Sequence, residues 1–472
     1  MKKTLLFLAM CIASQAGAAK GVNAEATKKN DAYKIDIVAP QLKNHPINLG
    51  VYFYGKLYSR DSVMLDSKGM GSFQKEKSLP EGMYVVYYSN SNYFDVLISD
   101  DQTFKIQIDT ADFSKNIYSG AEQTAAFADY VNYLASSREQ VKHINEKYAK
   151  EKDEPLKKAE LEKIDGEVKE KIKYLKNTYG DKTLGVFLKA TEQVEIPDFE
   201  SIQNDSIKRV TKYYWYREHF FDNLNLSDPR LVYSPFLAPK VDYFIEKMVP
   251  QIPDTLNAEI VKLVEKSKGD TLTFQNMLSN MLNYAVKSNL MGMDRVTLTL
   301  SEKYYLSGEA YWADSALLAQ LKTEVSKIKY NQVGDPARDL VVETLEGERL
   351  RVSTLPADYI LLFFFEPTCG HCKVETPKLY KDVYQKYRNE SFEVVCFYIQ
   401  QDKDEWREFI DKNELYGWKN VWDPNRESYF WYFYDVSTTP GVYLINKDRK
   451  IMAKKISVET LDEILSREFG VE

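Results

Sequence analysis

The stretch YILLFFFEPTCGHC, residues 359–372, decides how the C-terminal part of this 472-residue chain folds. Ile360-Leu361-Leu362-Phe363-Phe364-Phe365 is an unbroken apolar run, short for a helix and rich in aromatic side chains, so it predicts a central strand buried on both faces. Glu366-Pro367-Thr368 then turns the chain, and Cys369-Gly370-His371-Cys372 opens a helix. A sulfur at a helix N-terminus meets unpaired amides and the positive end of the dipole, which favour thiolate over thiol. Cys369 is therefore expected to be a nucleophile near neutral pH. Cys372, one turn further along, faces back toward it and can release a bound partner by closing a Cys369–Cys372 disulfide. That redox-active disulfide is the only redox group the pattern requires, so no other cofactor is expected.

Working outward, the turn cluster Val333-Gly334-Asp335-Pro336 marks a boundary. Beyond it, strands are expected at residues 359–366, 393–399, 442–445 and 451–456. Helices are expected from 369, around 406–410 and over 458–469. A βαβ unit followed by ββα predicts a mixed sheet covered by helices on both faces.

From about residue 333 to the end, the chain resembles the thioredoxin superfamily, and most of all its exported TlpA-like thiol-disulfide oxidoreductase branch. Four features carry the resemblance: the CxxC after a hydrophobic strand, Pro377 five residues past Cys372, Glu375 completing a C-x-x-C-x-x-E-x-P pattern, and Thr438-Thr439-Pro440 ahead of the strand 441–446. The resemblance implies a thioredoxin-like α/β fold and a thiol-disulfide oxidoreductase in which Cys369, Cys372 and Glu375 are catalytic. It also implies a cis Thr439–Pro440 bond, with Thr439 and Pro440 binding the substrate backbone beside the sulfurs. Glu375 lies three residues after Cys372 on the same helix face, where a carboxylate could take the proton from a buried thiol. The segments 334–339 and 345–348 resemble the extra N-terminal hairpin of the TlpA-like branch. Two positions depart from the superfamily pattern. Thr368 stands where Trp is usual, and the dipeptide between the cysteines is Gly370-His371 instead of Gly-Pro. Gly-His is shared with protein disulfide isomerases, whose imidazole stabilises the thiolate and makes the disulfide more oxidising, so His371 is expected to tune the potential. The TlpA-like pattern points to a reductase and the dipeptide to an oxidant.

Upstream, residues 33–109 alternate with a period of two, as in Ile35-Asp36-Ile37 and Phe104 to Ile108, broken by turn signals at Ser67-Lys68-Gly69 and Pro80-Glu81-Gly82. This predicts an antiparallel β-sandwich-like domain over residues 26–118. The period then becomes helical, with Phe127, Tyr130, Val131 and Leu134 at i, i+3, i+4 and i+7, giving an all-α domain over 119–330 ahead of the redox domain 331–472. The Lys/Glu-dense stretch 151–176 reads as a solvated helix face, and Tyr213, Tyr214, Trp215, Tyr216, Phe220 and Phe221 read as helix core. Both upstream regions weakly resemble the β and helical domains that some exported thioredoxin-like proteins carry.

Residues 1–18 read as a secretory signal peptide: Lys2 and Lys3, an apolar core from Leu5 to Ala13, and the small exit Ala16-Gly17-Ala18. The expected location is the periplasm or cell envelope, with lipid attachment at Cys11 disfavoured by Met10 before it. Four cysteines are too few for a disulfide scaffold. Cys396, in an apolar strand, reads as a core thiol, which leaves the CxxC without further zinc ligands, so no metal is expected. A net charge of −7 disfavours nucleic-acid binding. The expected partners are protein thiols and disulfides of the envelope and an upstream membrane or periplasmic redox donor. Two other functions compete: a thiol peroxidase, whose P-x-x-x-T-x-x-C loop Pro367 and Thr368 lie too close to Cys369 to supply, and a non-enzymatic envelope binding protein with an accessory redox domain.

Overall fold

The computed structural model describes residues 32–151 and 153–471. The expected signal peptide, with Lys2, Lys3 and Cys11, and the first residues of the expected β domain lie outside them. By the density of contacts the chain forms two units, residues 1–250 with 262–277 and residues 251–261 with 278–472. The division thus falls within the helical region.

In the first unit, eight strands form two four-stranded sheets: β1 (Tyr33–Val38), β2 (Pro46–Phe53), β3 (Lys56–Met64), β4 (Met70–Lys75), β5 (Gly82–Tyr87), β6 (Tyr93–Ile98), β7 (Thr103–Gln107) and β8 (Ile117–Ser119). The orders are β4-β1-β7-β8 and β3-β2-β5-β6. Alternate residues of both sheets, among them Ile35, Ile37, Leu49, Tyr84, Val86 and Ile106, share one buried core, as a period of two requires. All pairings are antiparallel except β1 with β7, which run parallel. Gly69 turns the chain into β4 at φ +76°, and a Cβ there would stand 2.2 Å from the Ala39 carbonyl oxygen, so no other residue fits without rearrangement.

Helices follow: α1 (Glu122–Glu151), α2 (Glu154–Tyr179), α3 (Thr183–Thr191), α4 (Asp205–His219), α5 (Leu237–Tyr243), α6 (Pro253–Lys266), α7 (Thr271–Lys287), α8 (Asp294–Leu300) and α9 (Ser315–Ile328). On α2 the charges pair along the surface, as Lys158–Glu162 and Lys169–Asp165 do at i, i+4. The aromatic run behaves differently from its spacing. Phe220 and Phe221 are buried, but α4 itself has no fully buried residue. Its aromatic rings instead cover one another and their helical neighbours, Trp215 stacking on His219 at 4.2 Å and Arg217 lying over Tyr214. Among the described residues no helix is long and apolar enough to cross a membrane.

The second unit holds a seven-stranded sheet built from β9 (Val341–Thr344), β10 (Arg349–Arg351), β11 (Tyr359–Phe365), β12 (Phe392–Tyr398), β13 (Lys419–Trp422), β14 (Gly441–Ile445) and β15 (Ile451–Lys454). The order is β10-β9-β13-β12-β11-β14-β15, and β11 pairs parallel with β12 and antiparallel with β14. The helices are α10 (Gly370–Lys378), α11 (Gln385–Tyr387), α12 (Lys403–Asn413), α13 (Phe430–Phe433) and α14 (Val458–Phe469). Leu361, Phe363 and Phe365 enter one core with residues of α12 and α14, while Ile360, Leu362 and Phe364 enter the opposite one with Phe430 and Tyr434. A strand buried on both faces has no reason to alternate, which is why the apolar run is continuous. The hairpin β9–β10 adds to the sheet through β13. At the other end the lead-in segment covers edge strand β15, its Gly334 amide bonding to Ile451 O at 2.8 Å.

Candidate active site

β11 delivers the chain to the sheet's end, where Glu366, Pro367 and Thr368 turn it into α10. Cys369 is the N-cap of that helix, in an extended conformation (φ −67°, ψ 124°), so its sulfur faces the amides that the first turn leaves unpaired. Pro377 lies inside α10 and the helix continues through a π-turn, Leu379–Tyr384.

The two thiols are unlike. Cys369 is partly exposed and Cys372 is fully buried. Burial alone would raise the Cys369 thiol. The Thr439 hydroxyl, the amide and sulfur of Cys372 and the amide of His371 outweigh it and hold Cys369 below the ordinary thiol range. Burial pushes Cys372 up to about 12, and the neighbouring Cys369 sulfur adds to the effect. Cys396, opposite Phe363 in the sheet, is buried and pushed far up for the same reason, so it stays a thiol.

From the opposite side the loop before β14 closes on the sulfurs. The Thr439–Pro440 bond is cis. Cys369 Sγ donates to the Thr439 carbonyl oxygen at 3.2 Å. Glu375 and Pro440 line a cavity of about 280 Å³ with Lys455 and the apolar side chains of Phe363, Leu379 and Leu461. Cys369, Cys372, Thr439 and Pro440 thus meet at one point, with Glu375 on the adjoining cavity wall. His371 is exposed. What it contributes to the Cys369 sulfur is its main-chain amide. His371→Ala keeps that amide and His371→Pro deletes it. The proline variant should therefore raise the Cys369 pKa, by thiolate absorbance, and lower the reduction potential by a few tens of millivolts, while the alanine variant moves both less. Equal shifts in the two would assign the effect to the imidazole.

One side chain outside the expected set joins the site. The Glu366 carboxylate accepts the Thr439 hydroxyl at 2.8 Å and the Gln400 carboxamide at 2.6 Å. In sequence it reads as a turn residue, and only its charge directly after six buried residues marks it. Among the described residues no cluster of His, Cys, Asp and Glu could hold a metal ion.

Residues 333–454 match the AhpC/TSA family. A thiol-disulfide oxidoreductase ResA of Bacillus cereus is 25% identical over 133 residues, which cover 28% of this chain and 75% of the relative. The ResA of Bacillus subtilis is 26% identical over 136 residues, 29% of this chain and 73% of its own. Among solved structures, a domain of a possible thiol-disulfide isomerase from Cytophaga hutchinsonii is 35% identical, with 29% of this chain and 93% of that one covered and a TM-score of 0.28. A thioredoxin-like protein from Bacteroides caccae is 20% identical, with 58% of this chain and 99% of that one covered and a TM-score of 0.44.

Proposed function

Because its C-terminal domain belongs to the thioredoxin superfamily, we propose that this protein is an exported thiol-disulfide oxidoreductase that reduces or exchanges disulfides of envelope proteins through the Cys369–Cys372 pair. Similarity to thiol-disulfide oxidoreductases supports the redox activity. The observation that carries the reading is the asymmetry of the thiols: an accessible Cys369 held below the ordinary range, and a buried Cys372 pushed up to about 12. The Cys369 thiolate attacks a partner disulfide, leaving a mixed disulfide. Cys372 then attacks Cys369 Sγ, the protein's dithiol is oxidised, and the partner leaves as a dithiol. Thr439 and Pro440 hold the partner's backbone beside Cys369, and the cavity lined by Glu375 and Lys455 takes the side chain next to its cysteine. In this reading a membrane or periplasmic donor restores the dithiol, and the signal peptide expected over residues 1–18 supports a reaction in the periplasm or envelope.

The test is insulin reduction with dithiothreitol. The full chain should accelerate it, and Cys369→Ser should bring the rate to the dithiothreitol background. Since Cys369 lies below the ordinary thiol range, the rate should hold as pH falls through that range and be lost only below it, as the thiolate is protonated. Equal rates for the two proteins would refute the reading. The AhpC/TSA match favours a second one, a thiol peroxidase. Cys369-dependent peroxide consumption without insulin reduction would select it.

A further inference from the structure

The loop that faces Cys369 leads into β14, and its main chain is bare. Among the described residues, the main chain from Val436 to Pro440 makes no hydrogen bond to another main-chain group. Thr439 O accepts from Cys369 Sγ at 3.2 Å. Side chains hold the loop instead. At its start the buried Asp435 carboxylate accepts the Ser437 amide at 3.2 Å and the Ser437 hydroxyl at 2.6 Å, and pairs with Lys455 at 2.6 Å. At its end the Thr439 hydroxyl donates to Glu366 Oε1 at 2.8 Å. Glu366 is anchored in turn, because its Oε2 accepts the Gln400 carboxamide at 2.6 Å just beyond β12, where the Ile399 amide bonds to Phe365 O at 3.2 Å. One carboxylate thus ties together the turn after β11, the end of β12 and the loop before β14.

A loop with unpaired amides and carbonyls can pair with an extended segment of another chain. It does so well only if it is held in shape beforehand, since any ordering left until binding subtracts from affinity. We propose that Glu366 is a positioning residue for partner binding: through the Thr439 hydroxyl it holds the main chain ahead of Pro440 in the shape that a partner's cysteine-bearing segment pairs with. The proposal rests on the oxidoreductase reading above and deepens it. The substrates it favours are disulfides carried in a polypeptide, because a small disulfide has no backbone for the loop to place.

The experiment compares two oxidants of the reduced full chain: insulin, whose disulfides lie in a polypeptide, and dithiodipyridine, a small uncharged disulfide. The readout is the ratio of the two second-order rate constants, in which any change in the reactivity of Cys369 itself cancels. Glu366→Ala should lower the ratio about tenfold, the scale of one lost hydrogen bond to a charged group. Thr439→Val should lower it equally, and the double variant no further, because both remove the same link. Glu366→Gln should keep most of the ratio, since its amide oxygen can still accept from Thr439 and the Gln400 carboxamide can turn over to meet its amide nitrogen. Thr439→Ser, which retains the hydroxyl, should keep it as well. An unchanged ratio in Glu366→Ala overturns the proposal, as does an equal fall in both rates, which a general defect of the scaffold would give. Losses that multiply to about a hundredfold in the double variant, or a Glu366→Gln ratio as low as that of Glu366→Ala, also overturn it. In each of these cases the unaltered protein still reacts with insulin, so the oxidoreductase reading stands. An unaltered protein that insulin does not oxidise would overturn that reading, and the positioning role with it.

Discussion

Replacing Cys372 by Ser is expected to stop unaided turnover at the mixed disulfide, bringing insulin reduction down close to the dithiothreitol background while leaving the attacking thiolate in place. The variant retains Cys369 at the helix N-terminus with its lowered pKa, so the first attack proceeds. A serine hydroxyl cannot displace the partner from Cys369, and the adduct persists. Envelope extracts passed over this variant should give Cys369-linked adducts on a non-reducing gel that dithiothreitol dissolves and that the Cys369→Ser, Cys372→Ser double variant lacks. The single Cys369→Ser variant should trap nothing. Its remaining thiol is buried and raised to about 12, and at neutral pH only about 10⁻⁵ of such a group is thiolate. Adducts forming equally without Cys369 would assign the nucleophile elsewhere.

The second large effect concerns stability. Asp294→Ala is expected to cost about 3–5 kcal/mol, because it leaves a buried lysine without its counter-ion. Lys454 ends edge strand β15 with its side chain 5% exposed, its ammonium group paired with Asp294 at the start of α8 and donating to Asn331 Oδ1 at 2.8 Å. Asn331 in turn donates to Phe433 O at 3.0 Å, and Gln332 Nε2 donates to Asp294 at 3.0 Å. Removing the carboxylate strands a charge that water cannot reach. Urea unfolding of the full chain measures the loss, and the double variant Asp294→Leu, Lys454→Met should recover most of it, since an apolar pair of similar volume carries no desolvation cost. Burial holds Lys454 below the ordinary lysine value despite the attraction of Asp294. The unfolded lysine therefore binds its proton over a window, ending near ~10.4, in which the folded one has begun to lose it, so this group adds stability as pH rises through that window. Without Asp294 the folded pKa drops further and the window widens downward. The deficit of Asp294→Ala should accordingly shrink in alkaline solution. A cost below about 1 kcal/mol would mean that Lys454 reaches solvent in the folded protein.

What could be read from the sequence was local. The continuous run from Ile360 to Phe365 carries its burial on both faces in its own composition. The period of two around Ile35 and Phe104 and the period of 3.6 after Gly120 likewise follow from geometry that each segment satisfies by itself. The reactivity expected of Cys369 needed only a helix to begin at Gly370, a property of a few adjacent residues. Relations between distant segments were beyond such reading. The parallel pairing of β1 with β7 is a matter of topology, which no alternating pattern specifies. The half-exposed rings of α4 obey helical spacing, but spacing does not say whether another element arrives to cover them. Lys454 looks like any strand-end lysine until Asn331, 123 residues earlier, is packed beside it.

Glu366 shows the division within the site itself. Its place after the apolar strand and before Pro367 was legible as a turn, and its charge was visible. Whether that charge faces water or the sulfurs depends on Thr439, 73 residues further on, which reaches it only because β14 pairs antiparallel with β11 and sets the Thr439–Pro440 loop at the same sheet end. The sequence alone determined which two cysteines open a helix and the buried strand that presents them, because those depend on neighbours along the chain. The tertiary structure decided which carboxylate the Thr439 hydroxyl meets and which counter-ion a buried lysine finds, because those depend on strand order and register.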